Sequence, residues 1–382
     1  MLASLLGVRM TLWLGPALAA PAPPQVVEAL TAVEVTLNSE GRDGFQLTFT
    51  LGRGHTDIVD YPLLANPLLR PFSRVIIQVW MGVAPEVLID GFITRHQVNP
   101  GNDPGSSTLV ITGEDVRVMM DLKEFSLPYP QMSPDVRVRL ILAKYAVYLG
   151  APPLVLPPIA LDVPMVIERI PAQSSTDLKY VEQLAEDAGY VFYVEPTPVP
   201  MVNLAYWGPE NRLSFPQSAL SINMGPSTNV TTLSFNYDGL GPEMVIGAVQ
   251  DKRLGLIVPV ITAVSFKPPL APMPALAVQQ PNVRSVLARN FGGLDPPQAF
   301  SLAQAMTEES SDALAAEGEM DALRYNALLR ARRLVGVRGA GFLLDGFYYV
   351  KSVTHAIKRG EYKQRFSLTR EGFGAISPVV VP

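Results

Sequence analysis

His55, His96 and His355 are the imidazole groups of a 382-residue chain that contains no cysteine. A zinc or similar site needs converging ligands, and these three lie far apart, without a His-x-x-x-His or carboxylate-linked spacing. His96 and His355 each end a strand-like segment and read as rim residues of a β-barrel. Neither a Gly-x-Ser-x-Gly elbow nor a phosphate-cradling Gly-x-x-x-x-Gly-Lys run occurs. Glu182, Glu186 and Asp187 share one helical stretch and suggest a paired-carboxylate glycosidase, but a solvated helix face accounts for them more simply. Arg330, Arg332, Arg333 and Arg338 suit anionic cargo; pairing with Glu317, Glu319 and Asp321, or with acidic groups elsewhere, is the favoured reading. Trp80, Trp207 and Tyr206 fit a subunit interface or a core equally well. No catalytic residue, cofactor or metal is assigned, and a non-enzymatic role is expected.

The elements that carry these residues are mostly short strands. Hydrophobic residues make up 48% of the chain, enough for several cores, and 36 prolines with 29 glycines are spread as turn punctuation. With 30 basic against 35 acidic residues, bulk charge does not seek nucleic-acid phosphates. Val33, Val35 and Leu37, then Phe45, Leu47, Phe49 and Leu51, alternate with polar neighbours around a Gly-containing turn and predict a hairpin. Further strands at 74–80, 86–93 and 107–112 complete a barrel-like domain over 1–121. A small α+β domain is expected over 122–212, with its clearest helix from the capping pattern Ser174 to Asp177 through Ala188 and a stop at Gly189. A second barrel is expected over 213–265 and 335–377, interrupted by a mostly helical insert over 266–334 in which Met320, Leu323, Ala327, Ala331 and Leu334 line up. The fold class is thus α+β, mainly β.

The N-terminus allows two readings. Ala17-Leu18-Ala19-Ala20 before Pro21 resembles the end of a secretory signal, and a secreted or periplasmic β-rich binding protein is the alternative it supports. Arg9 inside the apolar stretch, Pro16, and the partial alternation from Val8 to Leu14 favour a half-buried strand. No uninterrupted run reaches the ~20 apolar residues of a spanning helix, so stable membrane insertion is not expected.

An internal repeat shapes the functional reading. Leu88-Ile89-Asp90-Gly91-Phe92 leads through His96 to Ile111-Thr112-Gly113-Glu114; Leu344-Asp345-Gly346-Phe347 leads through His355 to Leu368-Thr369-Arg370-Glu371. Two like domains per chain let three chains present six similar positions around an axis, so a ring could meet a six-fold object on one side and a three-fold object on the other. Asp90, Gly91, Phe92, Asp345, Gly346, Phe347, Trp80 and Trp207 are the candidate interface residues.

Several stretches carry a family resemblance: Gly91-Phe92-Ile93-Thr94, Ile111 to Asp115, Met119-Met120-Asp121, Thr176-Asp177-Leu178 through Gly189-Tyr190, Tyr206-Trp207-Gly208-Pro209, and Arg330 to Leu334 with Arg370-Glu371-Gly372. The chain resembles the baseplate hub proteins of contractile phage tails and contractile injection systems, the late control D family and the hub part of VgrG. That resemblance implies a homotrimeric, pseudo-six-fold ring that adapts a hexameric inner tube to a trimeric spike. Its implied partners are the inner tube ring, a spike protein and other baseplate proteins, with DNA or protein cargo passing through the lumen. The implied location is the baseplate of a phage or injection particle assembled in the bacterial cytoplasm. VgrG-type chains continue into an OB-fold and a β-helical needle, whereas this sequence stops at Pro382, so the spike is expected on a separate polypeptide.

Overall fold

Alternation of side chains across pleated strands decides most of the architecture. The computed structural model describes residues 8–376 apart from 53–60, 83, 104, 159–162, 164–169, 252–254, 280 and 290; His55 lies outside them. The first half holds β1 (Arg9–Gly15), β2 (Ala20–Pro21), β3 (Leu30–Asn38), β4 (Gly44–Thr50), β5 (Arg74–Met81), β6 (Ala84–Asn99) and β7 (Thr108–Asp115). Leu12, Leu14, Val33, Val35, Phe45, Leu47, Phe49, Val75, Ile77 and Ile111 turn into one core. The N-terminal strand expectation is met: β1 runs antiparallel to β5 from Arg9↔Trp80 to Gly15↔Arg74.

The middle unit holds β8 (Glu124–Pro128), β9 (Leu154–Val155), β10 (Ala172–Thr176), β11 (Val191–Pro196) and β12 (Asn203–Gly208), with helices Pro134–Ala143 and Asp177–Ala188. The second helix starts where expected, because the Thr176 hydroxyl accepts from the Lys179 N–H at 3.4 Å and Asp177 lies in the first turn. It stops at Gly189, whose φ of 67° suits a left-handed cap. Leu178, Val181, Leu184 and Ala185 pack against Phe192 and Trp207 in a separate core.

The remainder holds β13 (Gln217–Ser221), β14 (Val230–Tyr237), β15 (Glu243–Gln250), β16 (Ile257–Thr262), β17 (Met273–Pro274), β18 (Arg284–Leu287), β19 (Leu314–Asp321), β20 (Leu334–Arg338), β21 (Gly346–Lys358), β22 (Glu361–Arg370) and β23 (Gly372–Phe373). Two helical expectations fail. Residues 284–287 form β18, and the helix Pro296–Ser310 is followed by β19, in which Leu314, Ala316 and Met320 are buried at intervals of two. Gly318 supplies the fourth inward position, where a Cβ would lie 2.6 Å from the Phe366 ring. The insert therefore differs from the expected one. β19 pairs with both β14 and β22, while β15, β16 and β18 make a separate three-stranded sheet packed on the helix Pro296–Ser310.

The class is α+β and mainly β. The large sheet has 13 strands, ordered β14-β19-β22-β21-β3-β4-β7-β6-β5-β1-β2, with β20 and β13 branching from β21. It is open, so the expected barrels are two halves of one continuous sheet, each over its own core, with no closing ladder among the described strands.

Candidate assembly interface

The two halves share a strand order. β3-β4-β7-β6-β5-β1 in the first corresponds to β14-β19-β22-β21-β20-β13 in the second; β1 pairs antiparallel with β5, whereas β13 is parallel to β20. Irregularities coincide as well. The β3–β4 ladder breaks between Leu30 and Ala32, and the β14–β19 ladder between Val230 and Thr232. The β6–β7 ladder breaks between Ile93 and Arg95, and the β21–β22 ladder between Val350 and Ser352. Bulges are placed features, so two at matching sites fix the alignment of the halves.

Following the ladders from those bulges makes Val35 equivalent to Phe235, Leu37 to Tyr237, His96 to Val353 and Phe92 to Tyr349. The sequence match, which set Phe92 on Phe347, is thus two residues out of register. An even slip keeps every side chain on the same face, so the pattern alone does not expose it.

Beyond its pairing with β20, β21 continues and pairs with β3, from Ser352↔Asn38 to Lys358↔Ala32. Along this seam Val35 and Val353 are buried, and the hydroxyls of Thr36 and Thr354 meet at 3.1 Å. His355 is not the rim residue expected. It is 1% exposed, with Nδ1 2.8 Å from the Tyr362 hydroxyl and 3.2 Å from Gln364 Nε2, and burial pulls its imidazole down to about 3. His96 is half-buried on β6.

A buried ionic cluster locks the seam. Arg332 donates to both Asp43 carboxylate oxygens at 2.6 Å and to the Asn38 carbonyl, and its guanidinium lies 4.3 Å over the Tyr193 ring. Burial opposes the Arg332 charge, but Asp43 outweighs it and raises the pKa. Arg117 pairs with Asp115 at 2.6 Å and donates to the Phe192 and Gly41 carbonyls, so all three units meet here. The basic run is accordingly paired within the chain, although not with the acids near it in sequence. Arg330 reaches Glu86 at 2.9 Å, Arg333 reaches Glu195 at 3.2 Å, and Arg338 donates to Ser221.

Most of the candidate interface residues pack inside the chain. Asp90 takes a bidentate pair from Arg74 at 2.7 Å and a hydrogen bond from Asn203 at 3.0 Å, joining the first half to the middle unit. Gly91 abuts the Glu114 carbonyl, Phe92 meets Tyr148 edge-on at 5.5 Å, and Trp207 is fully buried. Asp345 accepts from the Ala340 N–H at 2.8 Å, and Gly346 has a φ of 128° beside Arg370. Trp80, under Arg9, and Phe347 are half-buried. Glu186 and Asp187 are exposed as expected, whereas Glu182 is half-buried and its pKa is raised, chiefly by desolvation.

What the sequence reading missed is where the sheet stops. On β6, residues Arg95 to Asn99 extend past the end of the β5 ladder, and the outer edge of β14 has no strand partner among the described residues. These two edges are the counterparts of the β21 and β3 edges that pair inside the chain. Unpaired edges of this kind are templates for another strand.

No known protein family matches the sequence, and no curated protein resembles it significantly. Solved structures do. A tail protein from Neisseria meningitidis MC58 aligns over 96% of this chain and 98% of its own, with a TM-score of 0.61 at 14% identity. The 43 kDa tail protein of prophage MuSo2 from Shewanella oneidensis aligns over 96% and 99%, with 0.63 at 12% identity. An E. coli component of the type VI secretion system, described as structurally similar to the T4 tail proteins gp27 and gp5, aligns over 92% and 77%, with 0.54 at 10% identity. The chain has the fold of these phage-tail and secretion-system proteins.

Proposed function

We propose that this chain is a structural component of a contractile tail-like particle: a baseplate hub whose three copies form a ring joining a six-fold inner tube to a three-fold spike. The observation that carries the reading is the duplication itself, two halves of one strand order fused through one seam, with the matching pair of edges left open. Three such chains supply six like units, and the β6–β7 and β21–β22 hairpin connections occupy equivalent places in the two halves, as docking to a six-fold tube requires. The shared fold with tail proteins supports a place in the particle. Partners on this reading are the tube ring, a spike and other baseplate proteins, with cargo passing through the ring. Sedimentation of purified protein tests it. A trimer is expected, seen as a six-lobed ring by electron microscopy, and a stable monomer at micromolar concentration would refute it.

A further inference from the structure

The inference rests on the ring reading and concerns the joint between subunits. The internal seam gives a template, since β21 and β3 pair in a known register and each has one counterpart with an open edge, β6 and β14. Carrying the β21–β3 register across the equivalences places Arg95 opposite Asp238, His96 opposite Tyr237, Gln97 opposite Asn236, Val98 opposite Phe235 and Asn99 opposite Ser234.

The chemistry of these pairs fits that register. Phe235 and Tyr237 are half-buried and pack against the second core, while Val98 packs against the first. Joining the strands would cover this apolar row, as Val35 and Val353 are covered in the internal seam. On the other face Arg95, Gln97 and Asn99 are exposed, as are Asp238, Asn236 and Ser234. Arg95 then meets a carboxylate, and two amide side chains meet where Thr36 and Thr354 touch inside the chain. A shift by one residue would set this polar row against the apolar one.

We infer that β6 of one subunit adds antiparallel to the outer edge of β14 of a second copy in this register, so that each joint between subunits repeats the joint within a subunit. The sheet would then continue around the ring through alternating internal and intermolecular seams.

The chain has no cysteine, so paired substitutions report cleanly. Directly opposed residues lie roughly 4.5–5.5 Å apart at Cα, within the ~4.4–6.8 Å a disulfide spans, whereas diagonal pairs at about 7–8 Å lie outside it. Gln97→Cys with Asn236→Cys should oxidise to a covalent trimer on a non-reducing gel, and Gln97→Cys with Ser234→Cys should not. Thr36→Cys with Thr354→Cys, which should close within one chain, calibrates the geometry and the folding. A native trimer whose Gln97/Asn236 cysteines stay reduced while the internal pair oxidises would overturn the register and leave the ring standing. A monomeric native protein would overturn both. As a second variant, Arg95→Asp should raise the concentration needed for assembly at least tenfold, and adding Asp238→Arg should restore it; no recovery in the exchanged pair counts against the proposal.

Discussion

Replacing Asp43 by Asn tests whether the buried cluster holds the seam. The carboxylate is 1% exposed and accepts from Arg332 at 2.6 Å on both oxygens and from the Asn38 N–H at 2.8 Å. An amide keeps the shape but points an NH2 donor at the guanidinium or at the Asn38 N–H, and it removes the countercharge. Arg332, itself 4% exposed, would then keep the Asn38 carbonyl and the Tyr193 ring. Removing one member of a buried pair costs about 3–5 kcal/mol, because the other charge stays desolvated. At roughly 1–1.5 °C per kcal/mol for a chain of 382 residues, the thermal midpoint should fall by about 4–6 °C. Amide exchange should speed up at Ser39, whose N–H bonds the Lys351 carbonyl at 2.7 Å across the joint. The double variant Asp43→Leu with Arg332→Met should recover much of the loss, since no unpaired charge remains. A midpoint for Asp43→Asn within about 1 °C of the native protein, or strict additivity in the double variant, would refute the argument.

Two further perturbations are sharp. His355 keeps its proton off until about pH 3 when folded, against an ordinary value of 6.5, so below pH 6.5 the unfolded chain binds a proton that the folded chain refuses. Stability should therefore fall as pH drops from 6.5 towards 3, by roughly 2 kcal/mol from this group at pH 5, and urea midpoints of His355→Gln at pH 7 and pH 5 should lack that share. Gly91→Ala would place a Cβ 2.1 Å from the Glu114 carbonyl oxygen, forcing β6 and β7 apart, and should cost about 1–3 kcal/mol or more in urea unfolding. Gly41→Ala, with φ of 78° and open space around it, should cost about 1 kcal/mol, so equal losses would contradict the packing argument.

Patterns local in sequence were the readable ones. The first hairpin, β1, and the helix Asp177–Ala188 with its Thr176 cap and Gly189 stop each follow from alternation or capping within about a dozen residues. β19 is hidden by a helical reading of the sequence because Met320, Leu323, Ala327, Ala331 and Leu334 satisfy a helical spacing across three elements, the end of β19, the short helix Ala322–Tyr325 and the start of β20. The two-residue interval of Leu314, Ala316, Gly318 and Met320, separated by Ala315, Glu317 and Glu319, was the better signal. Asp90 stands out by its place in a repeat and Trp207 by its aromatic ring, but Asp90 serves a joint within the chain and Trp207 the core of the middle unit. Partners of buried charges such as Asp43 and Arg332 lie 289 residues apart and leave no local pattern. The open edges were illegible for the same reason, since an edge is defined by what a strand fails to meet.

The seam also sets a timetable for biosynthesis. Thr36 and Thr354 are 318 residues apart, so at about 5–20 residues per second a ribosome needs roughly 16–60 s to deliver β21 after β3. Throughout that interval the nascent β3 lacks its β21 partner, and on the proposed ring reading the equivalent strand β6 of a finished neighbour could take its place. Strand exchange between molecules on crowded polysomes is thus the characteristic hazard of this design, and slowing synthesis between β7 and β21 should raise the yield of entangled, misassembled chains.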